Sequence, residues 1–141
     1  MKSAFVIRHV AFEDLGTFKL VLDSHGWRVR WHEAGRQPLP MREAVHADLL
    51  VVLGGPIGVY ETDTYPCIPQ AIDAVRQRLA ADAPTLGICL GSQIMAAAMG
   101  ARVYPGQNGR EIGWSGIDLS DAGASSALAE LGPGRTTVLH W

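Results

Sequence analysis

Pro84-Thr85-Leu86-Gly87-Ile88-Cys89-Leu90-Gly91-Ser92-Gln93 runs from an apolar segment into a Gly-X-Cys-X-Gly turn, and a helix-like stretch from Gln93 to Met99 follows, stopped by Gly100. Strand, tight turn and helix in that order are the context of a nucleophile elbow. The strand ends abruptly, and the side chain on the turn points into a cleft at the C-terminal edge of the sheet. Glycines on both sides let neighbouring backbone pass without a Cβ clash. The N–H of the next residue, Leu90, is then aimed where negative charge develops during attack on a carbonyl. The N-terminal end of a helix also favours a thiolate over a thiol. A cysteine buried beside a glycine-rich turn would account for Cys89 alone, but the whole phrase favours a nucleophile.

Upstream, Asp48 to Leu53 is a continuous apolar run that reads as a central parallel strand. Gly54-Gly55-Pro56-Ile57-Gly58 follows it directly. This loop lacks both the Gly-X-Gly-X-X-Gly dinucleotide spacing and the Gly-Lys-Ser/Thr of a phosphate loop. Its better use is to present backbone N–H groups beside Cys89 as the second half of an oxyanion hole. The alternative is a tight turn that needs positive φ.

The rest of the chain alternates in the same way. Ser3 to His9 reads as a strand and Glu13 to His25 as a helix whose face is set by Leu15, Phe18 and Leu22. Trp27 to Glu33 alternates Trp27, Val29 and Trp31 with Arg28, Arg30 and His32, which predicts a half-buried strand with His32 outward. A proline-containing connection, Ala34 to Pro40, and a polar stretch through His46 lead to the central strand. Ile68, Ile72, Val75 and Leu79 define a helix with arginines on its other face. Ala101 to Tyr104 is strand-like, Glu111 to Leu119 extended, Ser125 to Leu131 helical and Thr136 to Trp141 a strand. Such alternation predicts an α/β domain over residues 1–141 with a mainly parallel sheet and helices on both faces.

Ligands of open α/β sheets bind outside the carboxyl ends of the strands. His9, the Gly54–Gly58 loop, Cys89 and His140-Trp141 fall there. A thiol nucleophile also needs a base, usually a histidine, and by strand polarity only His9 and His140 lie near that edge. His25 reads as a residue at a helix end. Cys67, after Tyr65-Pro66, has no elbow and reads as structural.

Composition narrows the classes. A formal charge of −2 argues against a nucleic-acid surface. No apolar run approaches the roughly 18 residues of a membrane span, and the N-terminus lacks a signal-peptide pattern. Two cysteines make no disulfide framework, and no Cys/His cluster suggests a metal. The expectation is a cytoplasmic protein with no cofactor.

Leu53-Gly54-Gly55-Pro56, Gly87-Ile88-Cys89-Leu90-Gly91-Ser92-Gln93 and Glu111-Ile112-Gly113-Trp114, in that order, resemble a class I, triad-type glutamine amidotransferase domain. The likeness is in particular to the stand-alone group similar to the amidotransferase domain of GMP synthase. The resemblance implies a flavodoxin-like three-layer sandwich and hydrolysis of the side-chain amide of L-glutamine, releasing ammonia for an acceptor. It implies Cys89 as the nucleophile of a γ-glutamyl thioester, with Gly55 and Leu90 as oxyanion donors. Gln93 and Gly54 would contact glutamine, and Glu111, Gly113 and Trp114 would border the site. A separate synthetase or acceptor substrate would use the ammonia.

The family's base and its carboxylate partner lie in a later Phe-His-X-Glu-like segment, beyond a His-Gly-Asp-type loop. This sequence reaches only Thr137-Val138-Leu139-His140-Trp141, so the domain is expected to be C-terminally incomplete and His140 is not assigned as the base. Low glutaminase activity of the 141 residues alone is expected, as is self-association through uncovered core surface. Other readings are a DJ-1/PfpI-like cysteine hydrolase, a γ-glutamyl hydrolase, and a non-enzymatic domain that binds glutamine or a partner. Leu90 stands where DJ-1/PfpI-like proteases usually carry histidine after the cysteine.

Overall fold

Two strands of the chain are withdrawn from water on both faces, and alternation explains how. β1 (Ser3–Arg8) and β3 (Leu49–Val52) are the interior strands of a four-stranded parallel sheet, order β2-β1-β3-β4. β2 (Arg28–Glu33) and β4 (Thr85–Gly87) complete it. Successive side chains of a strand leave opposite faces. Phe5, Ile7, Leu50 and Val52 join a core with side chains of α2 (Met41–His46), α3 (Cys67–Ala80) and α4 (Leu90–Ala98). Ala4, Val6, Val51 and Leu53 pack on the other face with Leu15 and with Leu22 of α1 (Thr17–Ser24). The result is the flavodoxin-like α/β sandwich that the sequence implies.

The computed structural model describes residues 1–132 and 134–141, which divide into two units, Met1–Tyr104 with this sheet and Pro105–Trp141. In the second unit β5 (Gly113–Ile117) pairs antiparallel with β6 (Thr136–His140), Gly113 opposite His140. Between them lie α5 (Asp121–Ala124), capped by Ser120, and a 3-10 turn over Ala127–Leu131, capped by Ser126. The helix expected over Ser125 to Leu131 is thus a shorter 3-10 turn, and α5 forms ahead of it where no helix was expected.

Local chemistry moves several expected boundaries. Gly16, at φ 52°, precedes the first helical residue, so α1 begins at Thr17 and leaves Glu13 in the loop. Leu22 is buried on α1, but Phe18 and Val21 are exposed, which corrects the predicted face. α2 follows Pro40 inside the stretch read only as polar. Ala101 to Tyr104 carries no strand, although Val103 packs against the core.

Two charged or polar side chains lie where the sequence reading does not place them. His32 is only 5% exposed rather than outward-facing. Its ring stacks on Phe5, centroids 6.1 Å apart at 26°. Trp31 takes the exposed position, with the Arg8 guanidinium 5.2 Å from its ring centre. Arg8 also pairs with Glu33, its register partner across β1 and β2. Burial lowers the His32 pKa, and the Glu33 charge opposes that shift.

Arg78 is fully buried, not on the outer face of α3. Its guanidinium donates to the carbonyls of Ala44 (3.3 Å), Val45 (2.8 Å), Ala47 (2.7 Å) and Pro84 (2.5 Å), and to Thr85 Oγ1 (3.1 Å). The last carbonyls of a helix have no partner within it and carry its negative end. Arg78 therefore completes the C-terminus of α2 while tying it to α3 and β4.

α4 reaches the sheet through glycines whose role is close approach. A Cβ on Gly91 would lie 1.9 Å from the Val52 carbonyl oxygen, and one on Gly87 would lie 2.5 Å from the Gly91 oxygen. Gly91→Ala must therefore lift α4 off β3. A loss of about 3 kcal/mol or more is expected in urea unfolding, and a loss within about 0.5 kcal/mol would contradict the contact.

The depressed His32 pKa has a signed consequence. The unfolded chain binds more protons than the folded one between the two pKa values, so stability rises with pH there. The contribution is complete above the ordinary value of 6.5 and is lost as pH falls through the folded value. His32→Phe, which keeps a ring on Phe5, should flatten the stability profile below pH 6.5; an unchanged slope would rule out this histidine as its source.

Candidate active site

Chain direction brings the site together. β1, β3 and β4 run parallel, so the segments leaving them emerge at one edge: His9 to Glu13 after β1, Gly54 to Gly58 after β3, and Ile88-Cys89 after β4. Ile88 N–H still donates to the Val52 carbonyl at 2.9 Å, and the chain then turns sharply. Cys89 has φ 54° and ψ −115° and stands at the N-cap of α4. A side chain in this backbone region costs on the order of 1–3 kcal/mol. The turn is held by Gly91 N–H on the Ile88 carbonyl (2.9 Å), and by Ser92 N–H (3.0 Å) and Ser92 Oγ–H (2.7 Å) on the Cys89 carbonyl.

Cys89 is exposed, whereas Leu90 buries its side chain in the core. Leu90 is the first residue of α4, so its N–H belongs to the set that a helix start leaves without an internal acceptor. Gln93 lies four residues after Cys89, which puts the two on one helical face, and it is exposed.

The glycine loop meets this elbow directly. A Cβ on Gly54 would lie 3.2 Å from Cys89 Cβ and 3.0 Å from both carboxylate oxygens of Glu13. A Cβ on Gly55 would lie 2.8 Å from His9 Cβ and 3.2 Å from Leu90 Cδ2. Neither glycine has a positive φ. The reading of this loop as a turn that needs positive φ is therefore corrected: close approach requires the glycines.

His9 Nδ1 lies 3.0 Å from the Gly54 carbonyl oxygen. Burial lowers the His9 pKa, and its contacts with the Gly54 and Leu53 backbone oppose the shift. The Glu13 carboxylate lies against the same glycine. Burial pushes that carboxyl above its ordinary value, and the Gly54 backbone pulls the other way. Glu13 is the residue that sequence reasoning missed. It was assigned to a helix, yet the edge argument that singled out His9 covers the whole loop after β1.

The remaining candidates belong to other segments of the chain. Glu111, Gly113 and Trp114 belong to the second unit, where Trp114 is exposed and Glu111 Oε2 is 3.4 Å from His140 Nδ1. His25 caps the C-terminus of α1, its Nδ1 2.9 Å from the Val21 carbonyl. Cys67 opens α3 half-buried, and burial raises its pKa. Among the described residues, no three His, Cys, Asp or Glu side chains cluster as metal ligands. No helix among them is long and apolar enough to cross a membrane.

A flavodoxin-like parallel sheet with a cysteine on a strained strand-to-helix turn defines an α/β protein of the flavodoxin-like class. The chain belongs to the class-I glutamine amidotransferase family, whose sequence model it matches over residues 19–133. It is 31% identical over 144 aligned residues to the glutamine amidotransferase-like protein YfeJ of Salmonella typhimurium, covering 100% of this chain and 59% of that protein. It is 33% identical over 101 residues to a glutamine-hydrolyzing GMP synthase of Neisseria gonorrhoeae, covering 72% of this chain and 18% of the synthase. A crystal structure of a glutamine amidotransferase from Thermotoga maritima superposes with a TM-score of 0.80 at 34% identity, over 99% of this chain and 60% of that one. The chain thus spans less than two thirds of these relatives' length.

Backbone strain at Cys89 is measurable without any ligand. Glycine relieves a positive φ but costs about 0.5–1 kcal/mol of chain entropy. Cys89→Gly should still be more stable than Cys89→Ala by about 1 kcal/mol; equal stability would mean that the elbow carries no strain.

Proposed function

We propose that the chain carries the nucleophile half of a glutaminase site, with Cys89 forming a γ-glutamyl thioester. The observation that carries this reading is the juxtaposition of the strained Cys89 with Gly54, each flanking the other at the edge where the parallel strands end. A carboxamide is a poor electrophile, so attack requires an activated sulfur and donors set for the developing oxyanion.

In the proposed sequence the Cys89 thiolate attacks Cδ of the glutamine side chain. The carbonyl oxygen takes the electron pair and is held by the N–H groups of Gly55 and Leu90. Collapse of the adduct, with a proton delivered to nitrogen, expels ammonia and leaves the thioester. Water then cleaves the thioester to glutamate and the free thiol. Each oxyanion donor is worth on the order of 3 kcal/mol of barrier. Gln93, one turn along α4, contacts the bound glutamine. An acceptor substrate or a separate synthetase consumes the ammonia; glutamine-hydrolyzing GMP synthases among the relatives support that arrangement.

The general base is not among these assigned residues, so slow turnover of glutamine by the 141-residue chain is expected. Acylation is tested separately with a glutamine-derived diazo-ketone and peptide mapping. One label is expected on Cys89 and none on Cys67. Gln93→Ala should raise the half-saturating concentration about tenfold, with no effect on labelling by a plain haloacetamide. Glutamine binding without any label on Cys89 would overturn the reading in favour of a non-enzymatic binding domain.

A further inference from the structure

Side chains from the loop after β1 close on Gly54. β3 ends at Val52, and Leu53 N–H makes one more bond to the Ile7 carbonyl at 2.9 Å. At Gly54 the contacts change in kind. The Glu13 carboxylate lies 3.0 Å from where a Gly54 Cβ would stand, and the Gly54 carbonyl faces His9 Nδ1 at 3.0 Å.

A carbonyl only accepts, so Nδ1 must carry the hydrogen. Burial favours the neutral ring, which leaves Nε2 unprotonated; that atom is buried and has no hydrogen-bond partner among the described residues. The Gly54 carbonyl at Nδ1 therefore selects the Nδ1–H tautomer.

Peptide geometry carries this bond one residue further. No cis peptide occurs among the described residues, and in a trans peptide the carbonyl and the following N–H point in opposite directions. Whatever fixes the Gly54 carbonyl fixes the Gly55 N–H. Two consecutive glycines make this peptide easy to flip. A larger residue cannot stiffen it, because Glu13, Cys89 and His9 occupy the space where each Cβ would stand.

We propose that His9 is a positioning residue of the site: in its Nδ1–H tautomer it holds the Gly54 carbonyl and thereby aims the Gly55 N–H. Its value to catalysis rests on the acyl-transfer reading of Cys89, but the hold itself does not. The Glu13 carboxylate packs against the same glycine. The loop after β1 is then part of the oxyanion machinery, although it contributes no atom to the oxyanion contact.

The test separates the two claims. In the 15N-labelled 141-residue chain, long-range nitrogen–proton spectra at neutral pH should show His9 with a protonated Nδ1 and a bare Nε2. His9→Leu should move the Gly55 amide resonance and speed its hydrogen exchange by about tenfold or more. His9→Asn, whose amide nitrogen takes the place of Nδ1, should restore both. Diazo-ketone labelling of Cys89 should slow about 10–100-fold in His9→Leu and recover in His9→Asn, with haloacetamide labelling unchanged. An Nε2–H tautomer in the unaltered chain, or a Gly55 amide indifferent to His9→Leu, would overturn the proposal. The expected tautomer and Gly55 response in a chain whose Cys89 never takes the diazo-ketone would support the hold and reject the acyl-transfer reading.

Discussion

Contact between the first turn of α4 and the end of β3 is the constraint on which the site depends. Gly91 brings helical backbone so near the Val52 carbonyl oxygen that no side chain fits between them. Ile88 N–H bonds to that same carbonyl. With the strand and the helix both held there, the residues between them have almost no length in which to reverse direction. Cys89 absorbs the turn by adopting φ 54°. Its strain is offset by burial of Leu90, Ile94 and Ala98 in the core, since a fully buried leucine or isoleucine contributes roughly 1.5–3 kcal/mol. An exposed thiol and a buried helix base are two results of one packing decision.

The same economy of space explains the glycine loop. Gly54 and Gly55 are fixed from outside by His9, Glu13, Cys89 and Leu90, each from a segment that leaves the sheet at its C-terminal edge. A backbone held by side chains of another loop has its orientation specified by tertiary structure. That is why preorganisation here depends on the register of β1 against β3, in which Ile7 stands opposite Val52.

Much of this was legible in the sequence, and the parts that were not share a cause. The Leu49–Val52 run, the helix around Ile68 and Val75, and the strand–turn–helix phrase at Cys89 each carry a strong local signal. α2 is six residues long and follows a proline, so periodicity has too little length to register. His32 broke the alternation rule because β2 is an edge strand whose covering comes from single side chains such as Phe5. The alternative of positive φ in the Gly54–Gly55 loop falls away because glycine has two uses, and only three-dimensional neighbours distinguish close approach from backbone conformation. Glu13 was hidden by a helical pattern that begins before the helix does.

Arg78 has a consequence for how the molecule opens. Its five partners run from Ala44 to Thr85 and come from α2 and β4 or their flanks, while Arg78 itself stands on α3. Detaching any one of those segments would strand part of a guanidinium in an apolar interior, where an unpaired charge is costly. The cheapest fluctuation is therefore one that releases α2, α3 and the start of β4 together. Such a coupling makes these elements a single cooperative opening unit, and the elbow at the far end of β4 inherits its rigidity from a side chain that never touches it.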